Sequence, residues 1–277
     1  MGDLLNVVVT VLLLLLTASG LAVIFGLMGV INFAHGEFVM IGAFVAYFAV
    51  HWANFWIALL LAPLVVAAIG LLVERTLIRR LYNRPLETIL ATWGLSIVIR
   101  EVARLWFGPQ FRSIPAPIAS SVQLVGITYP TYRLVVVGMI VVVFGLLVAG
   151  FRYTQLGLIT RAVNENPDLA ASRGVNVRRT FQLTFAVGAG LAGLAGAIVA
   201  PLVSIYPEMG SSFIINPFMA VIVAGAGSFV GVAAAAGIFG VSQSLAVRFI
   251  SPLTGSIVVL LLAITMLRIR PLGLLRS

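Results

Sequence analysis

Apolar residues run almost unbroken through eight stretches of the chain, at about 4–30, 38–52, 55–73, 88–107, 132–151, 180–203, 214–248 and 252–268. Most are long enough for a helix to cross a hydrocarbon core of about 30 Å. None shows the ten-residue alternation of a membrane β-strand. The pattern predicts an all-α fold, a polytopic bundle of about eight membrane spans forming a single domain over residues 1–277. No basic residue precedes the first run, LLNVVVTVLLLLL, and its apolar character continues to Ile31. It reads as a retained span rather than a cleaved leader.

The run 214–248 does not fit one straight span. As a single helix it would be about 50 Å long. A break at GAGSFVG, residues 225–231, into two half-length or short helices resolves this. Gly225, Gly227 and Gly231 are then candidates either for packing or for lining a pathway, because broken helices at membrane depth are tolerated only against protein or a water-filled cavity. Gly188, Ala192 and Gly196 recur every four residues, as do Ala189, Gly193 and Ala197. Such faces predict close helix packing.

Charge sets the orientation. Only 9% of the residues are charged, against about 25% in soluble domains, and the mean hydropathy is +1.16. The net charge is +9, and all 17 basic residues are Arg. The stretches 75–84, 152–179 and the C-terminal tail (Arg268, Arg270, Arg276) hold 12 of them. The positive-inside rule makes these three cytoplasmic and puts the N-terminus, which has no Arg or Lys, outside, together with the loops 109–131 and SIYPEMGSS. The excess of arginine thus meets lipid headgroups rather than nucleic acid. With no Cys, disulfides and thiolate chemistry are excluded; with no Lys, so are a P-loop and a Schiff base. There is no HExxH, no GxSxG and no paired carboxylate, so neither an enzyme site, a metal nor a cofactor is expected.

Asn32, His35 and Glu37 stand in GVINFAHGEFVMIGAF, residues 29–44. On a helix, Asn32 and His35 would share a face with Gly36, and Glu37 would point elsewhere. Polar groups inside a span are functional candidates. Three roles stay open: closing the first span at its cytoplasmic end, with Asn32 capping and Gly36 turning the chain; an interhelical hydrogen-bond network or gate; and contact with a passing substrate. Late in the fourth run, Arg100 and Arg104 share a face, and Glu101 is spaced to pair with Arg104 in an ion network at the span end. His51, beside Trp52, reads as interfacial.

The cytoplasmic stretch 152–179 contains RAVNENPDLAASRGVNVRRTF. Asn166 is a good N-cap, Pro167 suits the first helical position, Asp168 sits in the first turn and Gly174 ends the helix. A helix over 167–173 is too short to stand alone in water. It needs a surface, to which Leu169 and Ala170 offer a small apolar contact.

DLAASRG resembles the coupling motif of permeases in importers of the ATP-binding-cassette class, with Ala170, Ala171 and Gly174 at matching positions; Leu169 stands where that motif has Glu. GLMGVINFAHGEFVMIGAF, the segment from Arg161 to Pro201 and VIVAGAGSFVGVAAAAGIFG resemble the branched-chain amino acid uptake permeases, in the smaller of their two membrane subunits. The family commonly has a second Gly where this chain has Ala224 or Ala226. The resemblance covers Gly20 to Pro271. It implies a multi-pass subunit of a bacterial inner membrane that is not itself an enzyme. Implied partners are two ATPase subunits docking on 161–174 (Arg161, Asn166, Pro167, Asp168, Leu169, Ala170, Ala171, Gly174), a second related permease, and an extracytoplasmic binding protein reaching loops 109–131 and 204–213. A permease of the same architecture for urea or short amides, and an ATP-independent secondary transporter relying on Glu37 or Glu101, remain as alternatives.

Overall fold

A computed structural model describes residues 2–82, 84–124, 126–225, 227–270 and 273. Arg276, Ala226 and Pro271, which figure in the sequence reading, lie outside the described residues. Eleven α-helices occur among those described: α1 (Gly2–Met28), α2 (His35–Trp52), α3 (Phe55–Thr76), α4 (Pro85–Phe107), α5 (Thr131–Tyr153), α6 (Gln155–Glu165), α7 (Pro167–Ser172), α8 (Val177–Val199), α9 (Ile215–Ala224), α10 (Phe229–Phe249) and α11 (Pro252–Ile269). Short 3-10 turns follow at Ile78–Arg80 and Met209–Phe213. By length and composition α1, α3, α5, α8 and α10 are each apolar enough to cross a membrane, so the all-α polytopic bundle stands.

Contacts sort the helix ends into two sets. At one end, Asn6 near the start of α1 accepts hydrogen bonds from Tyr129 and Arg133, and Asp3 pairs with Arg248 at the far end of α10 (2.5 Å). The same end holds Arg112, which bonds the Phe107 carbonyl and pairs with Ile205 through both backbone groups. Within the loop 109–131, Ser121–Leu124 (β1) and Ile127–Pro130 (β2) form an antiparallel hairpin. At the opposite end, Tyr82 packs on Phe181, and Phe151 packs on Phe229. The arginine-rich stretches 75–84 and 152–179 lie there, as the charge pattern predicts.

Helix α8 forms the centre. Its small-residue faces are buried, and their spacing is used for contact. A methyl group on Gly188 would strike Ile24 and the Gly20 carbonyl; one on Gly193 would strike Val66; one on Gly196 would strike the Val39 carbonyl and the Ala43 amide. Three helices, α1, α2 and α3, thus approach α8 at backbone distance, which apolar bulk would prevent.

Two elements differ from the sequence reading. First, α1 stops at Met28, where Gly29 takes a positive φ of 64°, although Val30 and Ile31 prolong the apolar run. Second, the break in 214–248 falls at residues 225–228. Only α9 is short; α10 is a full 21-residue helix, and Gly231 lies inside it.

Candidate functional site

Residues 29–34 leave α1 and climb back without helical structure before α2 begins at His35. Asn32 is therefore not on a helix face with His35, and Gly36 does not turn the chain: it sits in the first turn of α2, hard against the Gly210 carbonyl. The stretch is not at the cytoplasmic end either. Glu37 lies about 22 Å along α2 from its outer end, and Arg100, its partner, lies about 22 Å along α4 from its inner end. Both distances fall within the depth of a hydrocarbon core.

Non-helical backbone at such depth must have its polar groups satisfied by protein. Here Asn32 Oδ1 accepts from the Ala34 amide (3.0 Å), and the hydroxyl of Thr92 on α4 accepts from the Phe33 amide (3.1 Å). His35 Nε2 lies 3.1 Å from the Thr17 carbonyl of α1. Glu37 Oε1 accepts from Arg100 at 2.8 Å, with the carboxylate 2% and the guanidinium 28% exposed. Four buried polar atoms here have no partner: Asn32 Nδ2, His35 Nδ1, Glu37 Oε2 and Arg100 Nε.

Farther out along α4, Arg104 is held by Glu101 (3.1 Å), as the spacing predicts, and also by Glu208. The Arg104 guanidinium holds the Glu208 carboxyl below the usual carboxylate range. Arg100 makes its hydrogen bond inward, to Glu37, and touches that network only through its charge, which also favours the Glu208 carboxylate.

The second break abuts the first. Gly225 and Gly227 take φ of 87° and 82°, which side-chain-bearing residues rarely adopt. Ser228 caps α10 by accepting from the Gly231 amide (3.0 Å), and a side chain at Gly231 would collide with the Ala224 carbonyl. Gly227 faces the Gly26 carbonyl of α1, and Phe33 packs on Phe218 of α9 with ring centroids 5.3 Å apart.

At the inner end, the short predicted helix is present as α7. Asn166 Oδ1 accepts from the Leu169 amide (2.9 Å). Its other end is a paired-turn stop: the Gly174 amide bonds Ala171, and the Val175 amide bonds Ala170, with Gly174 at φ 83°. Leu169 and Ala170 do not form one contact. Ala170 is buried against the protein while Leu169 is 57% exposed; Asp168, Ala171 and Gly174 are exposed too, on the side away from the bundle. The sequence reading missed α6, which precedes it and buries Gly157, Thr160 and Val163 at three-residue spacing. Arg161 projects from α6 and bonds back to the Gly157 carbonyl.

Residues 4–267 match the family model described as branched-chain amino acid transport system / permease component. The chain belongs to that family. The permease is 27% identical to the high-affinity branched-chain amino acid transport system permease protein LivH of Salmonella typhimurium and 26% identical to LivH of Escherichia coli K12, in each case over 94% of this chain and 90% of the relative. It is 29% identical to the corresponding protein BraD of Pseudomonas aeruginosa, with the same coverage. No solved structure matches it significantly. The permease is thus a multi-pass membrane protein of a family of transport components.

Two participants in the central site were missed: Thr92, which meets residue 33, and Gly210, which leaves room for the Glu37 carboxylate. Arg100 stood out as a charge in an apolar run, but its partner did not, because it meets Glu37 across 63 residues of chain. The buried stripe Thr88, Thr92, Ser96 on α4, at four-residue spacing, is the pattern that points to Thr92.

Proposed function

We propose that this chain is the membrane-spanning permease subunit of an ATP-binding-cassette importer that moves branched-chain aliphatic amino acids across a bacterial inner membrane. The observation that carries this reading is the family match over residues 4–267, joined by relatives of nearly full-length coverage whose names specify that transport. The chain acts as one domain and supplies half of the pathway. A second related permease completes it, two ATPase subunits hydrolyse the ATP, and an extracytoplasmic binding protein delivers substrate.

The α6–α7 hairpin supports the assignment of the docking surface. It is capped at both ends, so it moves as a unit. It presents Leu169, Ala171 and Gly174 outward, with Arg161, Asn166, Pro167 and Asp168 around them, while Ala170 anchors it to the bundle. Closure of the ATPase pair on bound ATP pushes this hairpin. The push biases two arrangements of the bundle, one open outward and one open inward. The two backbone breaks, with Asn32, His35, Glu37, Gly225, Gly227 and Gly231, are where the bundle changes between them, because non-helical segments there have fewer hydrogen bonds to break.

The test is co-purification of the tagged chain from detergent-solubilised membranes, with and without Ala171→Glu and Gly174→Pro. An ATPase pair and a second permease that co-purify with the wild type, the ATPases being lost in either variant, support the reading. A chain that purifies alone and moves solute without ATP contradicts it.

A further inference from the structure

The pairing of Glu37 with Arg100 asks for a reason. A buried ion pair is costly to desolvate, and an apolar pair of similar volume holds helices together as well or better. Inside a membrane, ionisable groups mark ligand and ion pathways by default. A pair serving only as a clamp would also be saturated with hydrogen bonds. This one is not: Glu37 Oε2 and Arg100 Nε lack partners, as do Asn32 Nδ2 and His35 Nδ1 on the same segment.

We propose that Glu37 and Arg100 form a receptor for a zwitterion at mid-membrane depth, Arg100 taking the α-carboxylate and Glu37 the α-ammonium of the passing amino acid. This rests on the amino-acid reading above and gives it a site. The two side chains neutralise each other at 2.8 Å. An amino acid carries the same two charges on neighbouring atoms. It separates the pair by replacing each partner with one of its own groups, so no net charge enters the apolar region at any stage. The planar guanidinium suits a carboxylate bidentately, and the idle Nε and Oε2 are the atoms that such exchange would use.

Two further observations favour Arg100. Arg104, one turn farther out, is already held by Glu101 and Glu208, whereas Arg100, among the described residues, makes its one carboxylate hydrogen bond to Glu37 and reaches Glu208 only through space. And Thr88, Thr92 and Ser96 lie at four-residue intervals on the buried face of α4, giving a line of hydroxyl-bearing positions from the inner end of α4 to Arg100, while Leu90, Trp93 and Ile97 face outward. Urea and simple amides carry no charges and would leave the pair closed.

The experiment compares uptake of radiolabelled leucine by the assembled transporter, with its partner subunits and binding protein, in proteoliposomes. The double variant Glu37→Gln/Arg100→Gln keeps the volume and a neutral hydrogen bond but removes both charges. It is expected to assemble with its partners and melt at the wild-type temperature, with leucine uptake reduced at least about tenfold, the scale of one lost charged hydrogen bond. Leucine uptake within twofold of the wild type overturns the proposal. Should that variant fail to assemble, Glu37→Asp and Arg100→Lys carry the test: each keeps its charge and displaces it, and undiminished uptake in both overturns it equally. A wild-type transporter that takes up urea or acetamide and no leucine overturns the amino-acid reading, and this proposal with it; wild-type uptake of leucine matched by the double variant overturns this proposal alone.

Discussion

The Glu37 carboxylate lies against the bare α-carbon of Gly210, where a single added methyl group would occupy the space of its Oε2 atom. Gly210 belongs to the 3-10 turn at Met209–Phe213, which follows the outer loop. The outer loop is thereby tied to the first turn of α2 and to the ion pair inside the bundle. A change of position outside is felt at Glu37 directly.

Gly210→Ala is expected to push Glu37 off Arg100 and to cut transport strongly. Breaking one side of a buried pair costs on the order of 3–5 kcal/mol, so a fall in melting temperature should accompany the loss. Gly138→Ala and Gly237→Ala, where an added methyl meets nothing within 4 Å, are the controls. Uptake and thermal denaturation of the purified complexes measure both effects.

The α8 seam gives a separate prediction. Gly196→Ala forces a methyl into the Val39 carbonyl, and overpacking of this kind costs about 1–3 kcal/mol. The variant should unfold at lower temperature than Ala→Gly changes on the lipid-facing helices, and cysteine-free detergent melts will read the difference. A Gly196→Ala protein as stable as the wild type would mean that α8 does not pack on α2 at backbone distance.

The outer end should respond to acid. Because the Arg104 guanidinium keeps the Glu208 carboxyl below its ordinary range, the folded state favours the charged form. The contribution is present above the carboxyl value of the unfolded chain and is lost as pH falls through the lower folded value. Melting temperature should therefore drop on acidification below about pH 4, and less so in Glu208→Gln. Equal acid sensitivity in both would remove Glu208 as a contributor.

The hairpin makes opposite predictions for adjacent alanines. Ala171 is exposed and Ala170 buried. Ala171→Glu should leave the permease folded and abolish ATPase co-purification, whereas Ala170→Glu should lower its melting temperature as well. Asn166→Ala removes the cap and should cost about 1 kcal/mol, weakening co-purification without abolishing it.

These contrasts also show what the sequence carries. The long helices were legible because the bilayer demands uninterrupted apolar runs, and α7 because Asn166, Pro167 and Gly174 each act on their own neighbours. The end of α1 was not: Val30 and Ile31 are apolar whether helical or not, and after the chain leaves the helix at Gly29 its Phe33 amide is taken up by Thr92 on another helix. Asn32, His35 and Glu37 announced themselves as polar residues in an apolar setting. Thr17 and Gly210 did not, nor did the choice of Glu37 as the partner of Arg100, because those contacts are made in space between distant segments. The α6 helix was hidden by its own composition, with buried Gly157 and Thr160 in place of large apolar residues.

The most direct test of the central claim is uptake of radiolabelled leucine into proteoliposomes that hold the chain with its co-purified subunits, supplied with the cognate binding protein. The account predicts accumulation that requires ATP on the hairpin side and disappears when Ala171→Glu uncouples the ATPase pair. Accumulation that proceeds without ATP and is indifferent to that substitution would contradict it.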